Sequence, residues 1–270
     1  MKANRWVFAV LLLVTAAVFQ LPAQQNEADR KVLAEIRAGA DKGDANAQYE
    51  LGRAFFSGTP RVAKDEAEAV KWFLKAAEQN VADAQFSLGV CYANGRGVTK
   101  DDAEAVKWFR KAAEQNDARA QAALGVRYAK GQGVAKNKAE AVKWYRKAAE
   151  QNVADAQYNL GVCYANGQGV TEDDAESVKW FRKAAEQNLA DAQYNLGVCY
   201  DSGEGVAKDQ VEAYKWWLLA AGQGNDDAKH NMTIVENKMS REQIAEGQRL
   251  ARDFKPRKLP SEGSDARLPP

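Results

Sequence analysis

The sequence "LGVCYANG" occurs twice in this chain, at residues 88–95 and 160–167, and a close variant, "LGVCYDSG", occupies residues 196–203. Related Leu-Gly pairs begin at Leu51 and Leu124, so five copies follow one another. A tryptophan accompanies each copy at a constant spacing of 36 residues: Trp72, Trp108, Trp144, Trp180 and Trp216. Self-similarity at a fixed period of this length is the signature of a repeat architecture. The chain is therefore predicted to be an array of small units rather than one or two conventional domains.

Each copy is predicted to begin with a helix, and the fourth copy shows the pattern. Its first segment, "VADAQYNLGVCYANG", places Ala156, Leu160 and Tyr164 at a spacing of four residues, which is the stripe of an amphipathic helix. Gly167 should end this helix, because glycine accepts the left-handed conformation that a helix C-terminus favours. Gly169 then permits a second bend.

The second segment of the fourth copy, "TEDDAESVKWFRKAAEQN", is predicted to be a second helix. Thr171 or Asp173 can cap it, and the acidic residues of its first turn suit the positive end of the helix dipole. Its apolar face is formed by Ala175, Val178, Trp180, Phe181, Ala184 and Ala185. Neither helix can bury its apolar face alone, so we expect neighbouring copies to stack around one continuous core. Small residues such as Gly161 should let adjacent helices approach closely.

This recurring pattern resembles the Sel1-like repeat family, a relative of the tetratricopeptide repeats. In the fourth copy the resemblance is carried by Ala154, Ala156, Leu160, Gly161, Tyr164, Gly167, Gly169, Val170, Trp180, Lys183, Ala184 and Ala185. Ser177 departs from the alanine of the family pattern. The resemblance covers residues 45–222 and implies an all-α fold, a right-handed α/α solenoid of five 36-residue helix-turn-helix repeats. It also implies use as a scaffold or adaptor in protein–protein interaction.

The first 23 residues have the layout of a secretory signal peptide. A short basic start precedes an apolar run over residues 6–19, and cleavage is expected after Ala23. The run is shorter than the roughly 20 residues needed to span a bilayer. We therefore expect an exported protein, periplasmic or secreted, with no stable membrane insertion once this segment is cleaved. Retention of the segment as an N-terminal anchor is the alternative.

Two further segments flank the repeats. Residues 24–44 are predicted to form an N-terminal capping helix, with Val32, Leu33 and Ile36 packed onto the first repeat. Residues 255–270 are rich in proline and polar side chains, and such segments bury too little apolar surface to fold. We expect this tail to be disordered.

Residues 223–254 are predicted to be a degenerate repeat that caps the C-terminal end. Met232 replaces the leucine of the Leu-Gly pair, and Glu236 replaces the family tyrosine. Ser240 and Gln243 fit a capping box at the start of a final helix. More polar terminal repeats are expected where a solenoid meets water.

Charge and cysteine content narrow the function classes. Without residues 1–23 the chain has 36 Lys and Arg (38 − 2) against 37 Asp and Glu, and so lacks the basic excess typical of nucleic-acid-binding proteins. Cys91, Cys163 and Cys199 occupy the same slot in different copies. Stacked helices would hold these positions about 8–10 Å apart, which is too far for a disulfide. We expect three unpaired and mostly buried thiols.

The sequence contains few candidates for catalysis. "GRGVTK", residues 95–100, suggests a phosphate loop, but its spacing differs from that motif and no strand precedes it. His230 is the only histidine, so at most one Cys-His or Ser-His site could exist. The cysteines also lack metal-ligand spacing. We expect no catalytic residue, no metal and no cofactor.

The resemblance also predicts where a partner would bind. In tetratricopeptide-like arrays the first helix of each repeat lines a concave groove, reached here by residues five and two before the repeat leucine and two and six after it. In repeats one, two, four and five the candidate partner-binding residues are Asn46, Tyr49, Arg53, Asp83, Phe86, Val90, Asn94, Asp155, Tyr158, Val162, Asn166, Asp191, Tyr194 and Val198. Such rows of aromatic, apolar and amide side chains can hold a peptide or a helix. The alternative is that the aromatic residues pack against the neighbouring repeat.

The third repeat departs from this pattern. Arg119 replaces the aspartate, Lys130 replaces the amide, and Arg127 takes the cysteine slot. Two interpretations stay open: drift on a solvated surface, or a cationic notch, flanked by aspartates of the neighbouring repeats, that receives an acidic group of the partner.

These observations together predict an exported, non-enzymatic scaffold that binds another protein or peptide through its concave face. One alternative is a hydrolase acting on cell-wall or β-lactam-like substrates, which is an activity of some relatives of this family. The other is a purely structural spacer.

Overall fold

The structure is a computed structural model that describes residues 30–257, and the regular elements of this part of the chain are α-helices. The chain divides into two compact units, residues 1–100 and residues 101–270. The helices of the first unit are α1 (30–41), α2 (Ala45–Ser57), α3 (Glu66–Glu78) and α4 (Ala82–Asn94). Those of the second unit are α5 (Asp102–Glu114), α6 (Ala118–Lys130), α7 (Lys138–Glu150), α8 (Ala154–Ala165), α9 (Asp174–Glu186), α10 (Ala190–Ser202), α11 (Gln210–Gly222), α12 (Asp226–Glu236) and α13 (Arg241–Asp253). The all-α class and the two helices of each repeat are thereby confirmed.

The second helix of each repeat begins at a side-chain cap. In the fourth repeat Asp173, not Thr171, is the N-cap of α9, and its carboxylate accepts a hydrogen bond from the backbone N–H of Glu176 at 3.0 Å. The equivalent caps are Asp65, Asp101, Asn137 and Asp209. A cap of this kind stabilises a helix by roughly 0.5–2 kcal/mol, because it pairs a backbone N–H that has no partner within the helix. Each second helix therefore has a defined start.

The core of the second unit runs from one repeat into the next. One buried cluster combines Ala122 of α6, Tyr145 of α7, Leu160 of α8 and Trp180 of α9. The prediction for Gly161 is confirmed, since a methyl group there would lie 2.7 Å from the ring of Phe181. Successive helices thus share one core instead of closing a core within each repeat.

Two residues predicted to pack are exposed instead. Ala175 lies on the solvent side of the first turn of α9. Val32 on α1 is 54% exposed, whereas Leu33 and Ile36 are half-buried as predicted. The α1 helix takes the place of a second helix, because its Ala40 carbonyl accepts from the Gln48 amide at 3.2 Å, as carbonyls of true second helices do. Within residues 30–257 no first helix precedes α1.

The C-terminal end of the described chain consists of α12 and α13. The capping box of Ser240 and Gln243 is present at the start of α13. Phe254 packs edge-on against Trp216, with ring centroids 5.6 Å apart. The backbone N–H of Arg257 donates to the carbonyl of Glu186 at 2.8 Å, so the chain after α13 returns to the end of α9.

Two of the predicted segments lie at the ends of the chain. The signal peptide predicted at residues 1–23 lies outside the described residues, as does the tail predicted at 255–270 from residue 258 onward. Over residues 30–257, no helix combines the length and the apolar character needed to cross a membrane.

Candidate partner-binding face

A ladder of buried glutamines on α2, α6, α8 and α10 ties each of these first helices to the helices before and after it. Gln157 on α8 is 1% exposed; its Nε2 donates to the carbonyl of Ala149 at 3.1 Å, and its Oε1 accepts from Nε2 of Gln187 at 2.7 Å. The same pair of bonds is made by Gln48, Gln121 and Gln193. Leaving such a buried amide unpaired costs about 1–3 kcal/mol, so the ladder fixes the register of each first helix. The apolar periodicity did not predict it, although the recurrence of "AQ" and "EQN" in step was an available signal.

The turn between the two helices of a repeat is held against the preceding repeat. Gly169 has a φ of +76°, and a methyl group there would lie 2.3 Å from the carbonyl carbon of Lys138, at the start of α7. Gly97, in the first unit, approaches the carbonyl of Glu66 in the same way. The Arg96 guanidinium, which donates to the Glu66 carboxylate at 2.6 Å, holds the pKa of that carboxyl below its usual range. The glycine-rich turns are thus contacts between repeats.

With the helices held in this way, the first helices of the second unit present a grid of side chains. We call the following set the first-helix face: Arg119, Ala122, Val126 and Lys130 on α6; Asp155, Tyr158, Val162 and Asn166 on α8; Asp191, Tyr194, Val198 and Ser202 on α10. Within each helix these positions lie three, four and four residues apart, and so on one side of it. Apart from Ala122, every one of them is exposed or half-buried.

The two tyrosines of this face differ in what they contact. Tyr158 packs on Phe181 with ring centroids 5.9 Å apart, and its hydroxyl accepts from Nδ2 of Asn195 at 3.4 Å. Burial raises the pKa of Tyr158. Tyr194 also packs against a buried cluster, but no other described residue bonds its hydroxyl. Tyr158 thus packs on the second helix of its own repeat and bonds to Asn195 of the next one. Both tyrosines stay half-buried, which leaves part of their surface accessible.

Both arginines of the third repeat are ion-paired. Arg119 donates through Nε to the Asp117 carboxylate at 3.3 Å. Arg127 donates to the Asp102 carboxylate at 2.8 Å and to Gln132 at 3.1 Å, which places its charge at the start of α5. Lys130 is exposed at the end of α6. Arg119 lies in the first turn of α6 and Lys130 is its last residue, so a notch that joins these cations stays a prediction.

In the first unit, the predicted residues on α2 and α4 are also accessible. Tyr49 packs on Phe73 with centroids 5.8 Å apart, and Arg53 lies over the Tyr49 ring while pairing with Glu50 at 3.2 Å. Asn46, Asp83 and Asn94 are exposed, and Phe86 and Val90 are half-buried. The α4 residues have the same chemistry as the rows of the second unit, whereas on α2 Asn46 and Arg53 take the places of an aspartate and a valine.

The rows of the first-helix face continue on α12, which the sequence pattern did not predict. Counting from Met232 in place of the repeat leucine, the four slots hold Asp227, His230, Ile234 and Lys238. All four are exposed, and Ile234 is 43% exposed. Tyr194 and Val198 of α10 pack on a cluster that includes buried residues of α12, so the two helices are neighbours. We include these four residues in the first-helix face.

No activated nucleophile accompanies this face. All three cysteines are free, and burial raises the pKa of Cys91 to about 12 and that of Cys199 to about 11. Burial also raises the pKa of Cys163. The thiols are thus held protonated at neutral pH, where a thiol is a weak nucleophile. Among residues 30–257, no three His, Cys, Asp or Glu side chains are grouped so as to hold a metal ion.

The sequence pattern and the fold of this chain are similar to those of known proteins. The Sel1 repeat matches residues 45–81, 82–117, 118–153, 154–189 and 190–225. A crystal structure of c5321, a protective antigen present in uropathogenic Escherichia coli strains and displaying an SLR fold, is 36% identical with a TM-score of 0.74. That match covers 80% of this chain and 47% of c5321. The Sel1 repeat protein from Oxalobacter formigenes is 32% identical with a TM-score of 0.72, over 88% of this chain and 100% of that one.

A curated relative matches over a shorter stretch. HRD3A of Arabidopsis thaliana, an ERAD-associated E3 ubiquitin-protein ligase component, is 38% identical over 58 residues, which are 22% of this chain and 9% of HRD3A. The chain thus spans under a tenth of this relative and about half of c5321 (47%). The matched repeats cover residues 45–225, and the solved neighbours share the predicted solenoid of helix pairs. This chain therefore belongs to the Sel1 repeat family.

Proposed function

We propose that this chain is an exported, non-enzymatic scaffold that binds a segment of another protein on the first-helix face of its second unit. The observation that carries the proposal is the contrast between the two helix types. Most large aromatic side chains of the second helices in this unit, such as Phe181 and Trp217, are buried, although Trp144 is half-buried. Tyr158 and Tyr194 are half-buried and Ile234 is exposed on the first-helix face. A surface that combines accessible aromatic and apolar groups with polar neighbours is typical of protein-binding sites.

The family supports the proposal at a coarser level. Sel1-repeat proteins are generally scaffolds for protein–protein interaction. HRD3A is by its description a component of a ubiquitin-ligase assembly, although this chain matches only 9% of it. The raised pKa values of the thiols give no support to a nucleophilic enzyme.

The binding site is tested by affinity capture with a matched pair of variants. The first variant combines Tyr194→Ala with Ile234→Asp, and the control combines Glu114→Gln with Glu150→Gln, two exposed carboxylates on second helices. Far-UV circular dichroism first establishes that both are folded. We expect the parent and the control to retain the same partner protein and the face variant to lose it.

The alternatives predict other outcomes of the same experiment. Equal retention by the face variant would place the binding site elsewhere on the chain. Absence of a partner from all three captures would favour the spacer. Hydrolysis of a chromogenic β-lactam by the purified parent would favour the hydrolase.

Export is tested separately, by the N-terminus of the protein from its native source. We propose that the mature chain begins at Gln24, after a signal peptide over residues 1–23. Mass spectrometry of the periplasmic and secreted fractions should find this N-terminus. Detection of the uncleaved N-terminus in the membrane fraction would instead show that residues 1–23 are retained as an anchor.

A further inference from the structure

The first-helix face is charged differently along its two edges. One edge consists of Asp155, Asp191 and Asp227, which lie in the first turns of α8, α10 and α12 at intervals of 36 residues. The opposite edge, at the C-terminal ends of these helices, carries one charge, that of Lys238 just after α12, beside Asn166 just after α8 and Ser202 at the end of α10. Asp191 and Asp227 are exposed, and Asp155 is half-buried.

An apolar row runs parallel to this acidic edge. Val162, Val198 and Ile234 follow their aspartates by seven residues, or about 10 Å along each helix. Ile234 is one of two large hydrophobic side chains described as exposed, together with Val32 in the first unit. First-turn carboxylates also stabilise their own helices through the helix dipole. That effect does not explain an exposed isoleucine in register with them.

From this arrangement we propose the chemistry of the partner segment, an inference that rests on the proposed function. The segment carries lysine or arginine along one side of an apolar stripe and binds across α10 and α12. Its apolar side chains cover Val198 and Ile234, and its cations pair with Asp191 and Asp227.

The charges and contacts of the site support this occupant over an acidic one. Of the three cations of the third repeat, Arg119 and Arg127 already pair with aspartates of the second unit, and Lys130 lies at the end of α6 and not on α10 or α12. Asp191 accepts only a long bond of 3.5 Å from Asn225 on this face, so its carboxylate has capacity for a further donor. The Tyr194 hydroxyl between the two rows can accept from the same segment.

The test uses two synthetic peptides and the whole chain. One is a short amphipathic peptide of leucine and lysine, and the other has glutamate at every lysine position. Binding is measured by fluorescence polarisation at low salt, where surface charges are least screened. We expect the leucine–lysine peptide to bind and the leucine–glutamate peptide to bind at least about tenfold more weakly, since several like charges would face the aspartates.

Substitutions on the chain locate the binding. Asp191→Asn with Asp227→Asn should weaken binding of the leucine–lysine peptide about twofold to thirtyfold, the range expected for the loss of two exposed ion pairs. Ile234→Ser should weaken it about tenfold by removing apolar contact. The control, Glu114→Gln with Glu150→Gln, removes the same number of charges from second helices and should leave the affinity unchanged.

Three results would overturn the inference, and each is distinct from failure of the proposed function. A leucine–glutamate peptide that binds as well, and is lost in Ile234→Ser, would overturn the partner's charge while keeping the face. An equal loss in the control variant would mean that the peptide binds by net charge alone. Self-association of the parent that Ile234→Ser abolishes would make a second copy the occupant. The proposed function fails instead if the variant that combines Tyr194→Ala with Ile234→Asp captures the same partner protein as the parent.

Discussion

The contact between the turn of one repeat and the helix of the preceding repeat can be tested with two neighbouring glycines. Gly167 and Gly169 lie in the same turn between α8 and α9, with φ values of +60° and +76°. A methyl group on Gly167 would meet its nearest atom, on Glu172, at an ordinary 3.6 Å. One on Gly169 would lie 2.3 Å from the carbonyl carbon of Lys138. The variants Gly167→Ala and Gly169→Ala therefore differ in one physical term.

The expected magnitudes follow from these distances. Alanine in the left-handed region costs about 1 kcal/mol relative to glycine, and both variants bear this cost. Gly169→Ala must also move two backbones apart by more than 1 Å to reach the ordinary contact distance of 3.4 Å. Overpacking of this kind adds about 1–3 kcal/mol. We expect a loss of about 1 kcal/mol in the free energy of unfolding for Gly167→Ala and about 2–4 kcal/mol for Gly169→Ala.

The assay is urea unfolding followed by far-UV circular dichroism, with hydrogen exchange as a local readout. Amide exchange should accelerate at the start of α7 in Gly169→Ala and stay unchanged there in Gly167→Ala, because only Gly169 touches that helix. Equal losses of stability in the two variants would refute the reasoning, since the penalty would then be conformational and the contact between repeats unimportant.

Three further predictions concern the polar ladder, the thiols and the C-terminal cap. Gln193→Leu should destabilise the fold by about 1–3 kcal/mol in urea unfolding, because the amide is fully buried and paired at both ends. An unchanged free energy of unfolding would show that the glutamine ladder does not stabilise the fold. Since burial raises the pKa of Cys91 to about 12 and of Cys199 to about 11, their protonated thiols stabilise the fold fully below pH 9, and this contribution should decline as pH rises toward 11. Replacing both cysteines by alanine should reduce the decrease in the urea midpoint of unfolding at alkaline pH. An unchanged decrease would contradict the raised pKa values of these thiols. Phe254→Ala should cost about 1–3 kcal/mol and change the fluorescence of Trp216, whose ring it contacts; unaltered fluorescence and stability would show that the cap does not depend on this pair.

The periodic features of the chain were predictable because the apolar side of a helix is defined by residues within one or two turns of each other. The spacing of Ala156, Leu160 and Trp180 identifies which residues turn inward whatever helix lies opposite, and all three are buried. The capping box of Ser240 and Gln243 was predictable for the same reason, since it joins residues three apart. The candidate residues Tyr158 and Tyr194 followed from the family resemblance, and their role in binding stays a prediction.

The features that were not predictable join residues of different helices. Gln157 reaches Gln187 across 30 residues, and Gly169 approaches Lys138 across 31, so no local period reports either contact. Arg127 occupies a cysteine slot in the sequence but pairs with Asp102 because of where α5 begins.

By itself, the sequence determined the repeat, its period, its two helices and their inward faces, because each depends on residues within one or two turns of one another. Only the tertiary structure decided how successive helices are offset. That offset determines which glutamines meet, which glycines touch a neighbouring backbone and which side chains stay accessible. It also leaves Ile234 and Asp227 of the degenerate repeat exposed. The physical reason is that the offset is set by packing and hydrogen bonds between helices, which a one-dimensional pattern does not contain.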